Sequence, residues 1–485
     1  MEKPTIPDEV VGIAKALAGA GFEAYLVGGC VRDMLLGRNP KDWDVATNAR
    51  PDDLLALFPD SVYENSFGTV GVKTGSDDPA VKVVEVTSYR IEGRYSDKRH
   101  PDEVVFAKTI TEDLARRDFT VNAMAMGLRG GITDPFGGKK DLAAGTIRTV
   151  GKPEERFSED ALRLMRAVRF AVELDFEIEP GTRRAIIAGS RGLEMIAKER
   201  VRDELVKILM TPRAAKGTIL LEELGLLPYV LPELREGLGV GQNKHHIYTV
   251  FEHNVRALDY AARQDYSLEV RMASLLHDVG KARAKKGDGP DSTFYQHEYI
   301  GAKMAVKMLD RLRFPREFTE RVAHLVRRHM FYYDPGIVSP AGVRRFIVRV
   351  GPENIDDLLR VREADRIGSG VDKAVPYRLR HFLFMIEKVK RDPLTPKMLA
   401  VNGDDIMALL DLPEGARVGW VLNALLEEVL DDPAKNTREY LESRARELNA
   451  MGDDELKRLM ASAQEKKKEV ETENEEELKR EFRVK

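Results

Sequence analysis

The chain has 485 residues, enough for roughly two to four domains with their own cores. Its 43% apolar and 33% charged residues describe a globular protein and exclude a disordered one, while a net charge of −4 excludes a globally basic nucleic-acid binder, so any RNA surface must be local. A single cysteine, Cys30, excludes a disulfide framework; no run of about 18 apolar residues marks a membrane span, and Met1-Glu2-Lys3-Pro4 is not a signal peptide, which together point to the cytoplasm.

In chain order, Pro7–Ala20 has the spacing of a short amphipathic helix leading into a strand at Tyr25-Leu26-Val27. That strand ends in Gly28-Gly29. Cys30–Leu36 reads as one or two helical turns stopped by Gly37, and a second strand begins with Asp42-Trp43-Asp44. Residues two apart in a strand face one side, so Asp42 and Asp44 are expected to project together. Paired carboxylates repel unless a cation sits between them, and Mg²⁺ favours hard oxygen ligands plus substrate phosphates. Gly28 and Gly29 let a phosphate approach the backbone, and Arg32 offers it a guanidinium fork. The combination is what metal-assisted phosphoryl or nucleotidyl transfer needs. A lone Gly-Gly is an ordinary turn and a lone D-x-D an ordinary strand end; the specificity lies in the order GG-x-VRD-x-LLG-x(4)-D-x-D. That order resembles the nucleotidyltransferase fold of the DNA polymerase β superfamily. It is most similar to the class II (bacterial-type) tRNA nucleotidyltransferases, which include the CCA-adding enzymes and their poly(A) polymerase relatives.

Ala49–Phe58 predicts a helix, and Phe67–Val72 with Val81–Tyr89 predicts paired strands joined by a turn at Gly75–Pro79. The resemblance places a third carboxylate on such a strand, which makes Glu85 a candidate beside the metals, although a plain edge glutamate reads equally well. Arg90–Pro101 is dense in charge and reads as a solvated loop. The resemblance implies a loop here that helps switch the site from C to A addition, absent from members that add only CC. Leu114–Ala123 matches the family motif RRD-x-x-x-NA. Arg117 would hold a phosphate, with Asp118 and Asn122, four apart on a predicted helix, addressing ribose hydroxyls. Asp134-Pro135-Phe136-Gly137-Gly138 matches the turn that couples head and neck, where a hinge is expected.

A helix is predicted over Ser158–Val172, with Ser158 as N-cap and a stripe of Leu162, Met165, Val168 and Val172. Beside the stripe run Asp160, Arg163, Arg166 and Arg169. A surface row of intrahelical ion pairs would look the same. Cytosine and adenine, however, both present an amino donor beside a ring-nitrogen acceptor, so a carboxylate and a guanidinium together select them over uracil and guanine. The helix also resembles the family's ED-x-x-R motif. Asp160 and Arg163 are therefore assigned to reading the incoming base, with Arg166 and Arg169 supporting them. Lys198–Leu205 matches the bracing motif ER-x-R-x-EL, and Leu224–Pro232 reads as a boundary.

Beyond His245 the chain becomes helical and histidine-rich. His253, His277-Asp278 and Asp365 match the H…HD…D pattern of HD-domain metal phosphohydrolases, whose imidazoles and carboxylates suit a divalent transition metal that activates water. His297 and His329 would complete a second metal position or hold phosphate. In relatives carrying this domain it is associated with phosphatase and cyclic-phosphodiesterase activity. Arg311–Met330 offers a basic face, read here as a charged helix surface; Leu399–Gly403, Gly419–Leu430 and Pro433–Asn436 resemble the tail that holds the tRNA elbow. Residues 453–485 read as a solvated helix or disordered tail.

The expected fold is α+β: a polymerase β-like nucleotidyltransferase head with a mixed sheet over 1–145, then all-α neck (146–235), HD (236–392) and tail (393–450) regions and a charged extension (451–485). The expected function is template-independent addition of CCA to the tRNA 3′ end from CTP and ATP, with Mg²⁺ on Asp42 and Asp44 and with Gly28, Gly29, Arg32, Arg117, Asp118, Asn122, Asp160, Arg163, Arg166 and Arg169 at the nucleotide. Three rivals remain. One is an enzyme adding only A, or a poly(A) polymerase, although Phe67-Gly68-Thr69-Val70 looks more like the tRNA enzymes. Another is an HD-containing nucleotide-signalling enzyme, a class that places its HD module first and lacks ED-x-x-R. The last is a non-catalytic RNA-binding module, against which the intact Asp42 and Asp44 speak.

Overall fold

A computed structural model describes residues 5–65, 68–92, 104–242, 247–287, 289–335, 337–389, 398–452 and 455–456. The chain divides into two compact units, Met1–Arg235 with Met308–Phe314 and Glu236–Lys307 with Pro315–Lys485. The fold is α+β, with a mixed sheet in the first unit.

The amino-terminal half begins with α1 (Asp8–Gly19), β1 (Tyr25–Val27), α2 (Gly29–Leu35), β2 (Asp44–Thr47) and α3 (Pro51–Leu57), followed by β3 (Ser61–Asn65), β4 (Thr69–Lys73) and β5 (Val83–Ser88). With β8 (Ala125–Met126) and β9 (Ile132–Thr133), these strands form one seven-stranded sheet in the order β3-β4-β5-β2-β1-β8-β9. Only β2 and β5 run parallel, and their register sets Asp44 opposite Glu85. Val45, Val70, Val84 and Val86 are buried along the middle strands. Alternation therefore turns Glu85 outward from the same strand whose valines fill the core.

Several local expectations change. Strand β2 starts at Asp44, so Asp42 lies just before it and strand alternation does not set its direction. Arg90 does not open a loop: β6 (Arg90–Glu92) pairs antiparallel with β7 (Val104–Phe106). The intervening 93–103, where the base-switching loop was expected, lies outside the described residues, as does Phe67. The helix expected over Leu114–Ala123 is shorter and earlier. It is α4 (Ile110–Ala115), whose N-cap Thr109 accepts from Glu112 N, followed by a 3₁₀ turn at Thr120–Asn122.

Next come α5 (Gly138–Ala143), β10 (Thr146–Ile147), α6 (Pro153–Glu159), α7 (Leu162–Leu174), β11 (Glu177–Ile178), α8 (Pro180–Gly189), α9 (Lys198–Leu209), α10 (Ala214–Glu223) and α11 (Leu227–Val230). The single helix expected over Ser158–Val172 is two helices, because Asp160 is extended (φ −141°, ψ 104°). Its Oδ1 accepts from Leu162 N at 3.0 Å and caps α7, whereas Ser158 Oγ donates back to Glu155 O inside α6. In the Asp134–Gly138 turn the Asp134 carboxylate caps α5, accepting from Gly138 N at 2.7 Å and Lys139 N at 2.9 Å.

From Val250 onward the described elements are helices: α12 (Val250–Arg263), α13 (Leu268–Leu276), α14 (Lys281–Ala284), α15 (His297–Arg311), α16 (Arg316–Arg328), α17 (Pro340–Val350), α18 (Ile355–Gly368), α19 (Tyr377–Val389), α20 (Gly403–Leu410), α21 (Ala416–Asp431) and α22 (Arg438–Ala450). Two close approaches draw the histidine-bearing helices together. A Cβ on Gly368 would lie 2.9 Å from His253 O, and one on Gly280 would lie 2.2 Å from His297 O. Apart from 455–456, the charged extension from 453 lies outside the described residues.

A similar approach seats α5 on the 3₁₀ turn, where a Cβ on Gly138 would stand 2.2 Å from Thr120 O. Gly138→Ala is expected to cost about 1–3 kcal/mol by overpacking, read as a lower thermal midpoint. Gly131→Ala, with nothing within 4 Å of the new Cβ, should leave that midpoint unchanged.

Candidate functional site

The first site forms around Gly28-Gly29, between β1 and α2. Gly28 holds φ 75°, ψ −132°, a region that side chains rarely adopt, and the space over the pair is already claimed. A Cβ on Gly28 would lie 2.9 Å from Arg117 Nη1 and 3.4 Å from Asp44 Oδ2. One on Gly29 would lie 3.7 Å from Arg32 Nη2 and 3.9 Å from Asp42 Oδ1. Two carboxylates and two guanidiniums thus converge on two bare glycines. Burial, and then the neighbouring Glu85 and Asp42 carboxylates, push Asp44 up to about 7, with Arg117 opposing them. An acid crowded this way is relieved by a bound cation. Cys30 follows the turn but is buried, its thiol pushed up to about 12 by burial while it donates to Val27 O; it is core filling and no nucleophile.

The two guanidiniums differ. Arg117 extends over Gly28 while donating through Nη2 to Asp113 Oδ2 at 3.3 Å. Arg32 is buried, and its fork engages Asp33 through Nε at 2.8 Å and Nη2 at 3.0 Å, with Nη1 donating to Asn122 Oδ1 at 2.9 Å. The fork expected to meet phosphate is thus engaged by Asp33, while its Nη2 also lies 3.7 Å from the Cβ position of Gly29.

Asp118 and Asn122 come together without a shared helix: Asn122 Nδ2 donates to Asp118 Oδ1 at 3.4 Å. Asp118 Oδ2 accepts from Arg166 Nε at 2.7 Å, linking the 3₁₀ turn to α7. Burial would raise the Asp118 carboxyl, but Arg166 beside it holds it below the usual range, and Asp118 in turn raises Arg166 against its own burial. Phe170, which the sequence reading passed over, closes the circuit. Arg166, Arg169 and Arg32 lie 5.3, 4.3 and 5.5 Å from its ring centroid, and Phe119 meets it edge-on at 5.7 Å. Its signal was positional: an aromatic beside a row of arginines spaced three apart.

The base-reading candidates also have protein partners. Asp160 pairs with Arg200 Nη2 on α9 at 2.7 Å. Arg163 is buried, with Nη1 donating to Glu159 at 2.5 Å and to Arg156 O at 3.0 Å, and Nη2 donating to Arg116 O at 3.2 Å. Arg169 stands 3.2 Å from buried Glu204, also on α9. The bracing role expected for Lys198–Leu205 thus takes concrete form in Arg200 and Glu204, which hold the two ends of the arginine row.

The second site lies among the helices beyond α11. His253 on α12, His277 and Asp278 after α13, and Asp365 on α18 are all buried. His253 Nε2 is 2.8 Å from His277 Nε2, 3.0 Å from Asp278 Oδ2 and 3.3 Å from Asp365 Oδ1. Lys281 Nζ lies 2.5 Å from Asp278 Oδ2 and donates to Gln242 at 2.7 Å. Even so, Asp278 Oδ2 has no hydrogen bond of good geometry, and a divalent ion fits this buried set of imidazoles and carboxylates. Burial opposes ionisation of Asp278 and Asp365, yet Lys281 and Arg362, followed by the histidines, hold both carboxyls well below the usual range. Arg362 binds the outer oxygen of Asp365 at 2.6 Å. Of the basic face at Arg311–Met330, Arg311 and Arg316 pair with Glu233 and Glu320, as the charged-surface reading expects.

A carboxylate-lined glycine turn on a mixed sheet, followed by a helical neck, defines a nucleotidyltransferase. A model described as the poly A polymerase head domain matches residues 24–148, one described as the probable RNA and SrmB-binding site of polymerase A matches 175–238, and an HD domain matches 250–368. The chain is 37% identical to the A-adding tRNA nucleotidyltransferase of Deinococcus radiodurans over 83% of its own length and 91% of that enzyme. It is 36% identical to the CC-adding enzyme of Thermus thermophilus over 84% and 89%. Against the CCA-adding enzyme of Geobacillus stearothermophilus it is 47% identical but covers 46% of this chain and only 54% of that one, about half its length. The crystal structure of the Bacillus stearothermophilus CCA-adding enzyme in complex with CTP superposes with a TM-score of 0.69 at 31% identity, over 92% of this chain and 98% of that one. The chain belongs to the tRNA nucleotidyltransferase family that shares its head with poly(A) polymerases. No helix among the described residues is long and apolar enough to cross a membrane. Both its nucleotidyltransferase and HD domains imply the use of divalent metal.

Removing one partner of the Asp118–Arg166 pair leaves a charge without its counter-ion. A fully buried pair costs ~3–5 kcal/mol to break in this way. Because Arg166 keeps 33% of its side chain exposed, Asp118→Asn should sit at or below the lower end, measured by denaturant unfolding. Asp44 gives a pH signature. Its folded value of about 7 exceeds the ordinary aspartate value of 3.8, so the folded state binds more protons between them. In chelator, stability should therefore fall as pH rises from about 4 to about 7, by an order of a few kcal/mol. Asp44→Asn should flatten that slope and melt higher than the parent at pH 8.

Proposed function

We propose that the chain adds the terminal CCA to tRNA from CTP and ATP, without a nucleic-acid template, at the Gly28–Gly29 turn. The observation that carries the reading is the convergence of Asp42, Asp44 and Arg117 on those two glycines, in the same compact unit as Asp160 and Arg163. Asp42 and Asp44, with Glu85 beside them, would hold Mg²⁺, which when bound favours ionisation of the RNA 3′-hydroxyl and stabilises charge on the departing pyrophosphate. The glycines leave backbone exposed to the triphosphate, and Arg117 meets it with a guanidinium already oriented by Asp113. Arg32 acts from behind, fixing Asn122 and so Asp118 and Arg166. Asp160 retains lone pairs to accept an amino proton from cytosine or adenine while Arg200 holds its carboxylate. Arg163 donates to the ring nitrogen in exchange for one of its protein partners.

Two aspects of the reading are finer. The full-length likeness to an A-adding enzyme favours addition of the last nucleotide alone as the second reading. The HD site, with its histidine-rich donor set, would take a transition metal and hydrolyse phosphate esters or cyclic phosphodiesters. Its place of action would be the cytoplasm, where tRNA ends are processed.

Single-turnover extension of transcripts ending without a tail, in C, and in CC, offered CTP and ATP separately and together, tests the assignment. Three nucleotides added to the tail-less transcript is the expected result. Extension of the CC transcript alone, by one A, would make this an A-adding enzyme, and long A tails a poly(A) polymerase. Asp42→Ala should abolish every one of these products; extension untouched by it would remove the head from the reaction.

A further inference from the structure

Phe170 is the aromatic member of α7 and only 5% exposed, yet its surroundings are cationic. The guanidinium carbons of Arg169, Arg166 and Arg32 lie 4.3, 5.3 and 5.5 Å from its ring centroid, and Phe119 meets it edge-on from just before the 3₁₀ turn. A buried apolar position ordinarily packs against other apolar groups. Three arginines around one ring use something a leucine of comparable size lacks, the negative potential of an aromatic face.

The neighbouring carboxylates do not order the arginines by themselves. Asp118 directs Arg166 through Nε, and Asp33 directs Arg32 in the same way. Arg169 is held differently. Its Nε stands 3.2 Å from Glu204 Oε2, but both atoms are buried without an aligned hydrogen bond. The Phe170 ring, at 4.3 Å, is therefore the group that fixes the plane of Arg169. Burial, and then the Arg166 cation, lower Arg169 from the ordinary arginine value, the mark of like charges drawn close in a dry setting. The ring also bridges segments far apart in the chain, since Arg32 belongs to α2 and the other two to α7.

We infer that Phe170 is a positioning residue for the incoming nucleotide, its ring holding the Arg166 and Arg169 guanidiniums, with Arg32, at a fixed spacing as one cationic platform for a nucleoside triphosphate. The inference rests on the reading of the arginine row as nucleotide-binding and adds the side chain that keeps the row in order. Phe170 acts through the arginines, so its contribution lies in nucleotide affinity more than in turnover.

Two kinds of variant of the full chain test this. Phe170→Leu removes the ring. A series with mono-, di- and trifluorinated phenylalanine at position 170, introduced by nonsense suppression, drains the negative ring face with little change of volume, and decides the matter if the leucine variant fails to fold. Affinity for CTP and for ATP is measured by equilibrium titration with Mg²⁺, and KM and kcat by extension of a tRNA transcript. Each added fluorine should weaken both nucleotides, by about tenfold across the series, with KM rising more than kcat falls. The same series at Phe176, buried elsewhere in the same unit against Gly145, should leave affinity unchanged. An equal loss at Phe176, or an affinity indifferent to fluorine at Phe170, would overturn the positioning role. Arg166→Gln with Arg169→Gln separates the two possible failures. If that variant loses nucleotide while fluorine at Phe170 has no effect, the row binds nucleotide without the ring and only the inference falls. If it binds nucleotide as the parent does, the nucleotide reading of the row falls with it.

Discussion

The crowding of negative charge against a bare glycine turn is the constraint from which the amino-terminal unit takes its meaning. Asp44 is fixed at the start of β2 by its register with Glu85 on β5, and Asp42 arrives from the preceding turn. No packing requirement explains placing two carboxylates where they raise the affinity of a third, Asp44, for protons. A hydrophobic or neutral residue at Asp44 would spare the fold the cost of burying a carboxylate. The arrangement makes sense as a cation site whose electrostatic strain is relieved when the ion and the triphosphate arrive together. The absence of a side chain at Gly28 serves the same end, because a Cβ there would stand 2.9 Å from Arg117 Nη1 and 3.4 Å from Asp44 Oδ2 and crowd both.

The neck is tied to this turn by polar side chains more than by shape. A closed path runs from Arg32 to Asn122, Asp118 and Arg166, and returns to Arg32 across the Phe170 ring. Each member has a local excuse, a capped turn or a buried aromatic, but together they couple α7, the helix proposed to read the base, to α2, which follows the glycine turn proposed to hold phosphate. Arg200 and Glu204 on α9 extend the same logic outward, holding Asp160 and Arg169 in place.

The sequence was most legible where chemistry depends on local spacing. Glycines, carboxylates and the short helix between them follow one another within a few residues, and the structure brings them together. The His277-Asp278 pair and its distant partners were likewise recognisable, because few packing needs call for so many buried imidazoles. Contacts between segments left no such trace. Asp118 and Arg166 are 48 residues apart, and nothing in either motif announces that they pair. The break at Asp160 was hidden because no glycine or proline marks it; what separates the two helices is an extended aspartate that caps the second. Arg32 shows the complementary case. A free guanidinium in the sequence becomes one committed to Asp33 once α2 is wound. The strand β3 was overlooked because Ser61–Asn65 lacks the apolar alternation of its neighbours and pairs at the sheet's edge.

The central claim is that Asp44 belongs to a cation site and not merely to a crowded loop. Calorimetric titration with Mg²⁺ at pH 6, repeated in buffers of different ionisation enthalpy, counts the protons released on binding. Since Asp44 is raised to about 7 without metal, the account predicts close to one proton released per ion bound at the head, a release missing from Asp44→Ala. Proton release identical in the two proteins, or no difference in Mg²⁺ binding between them, would contradict it.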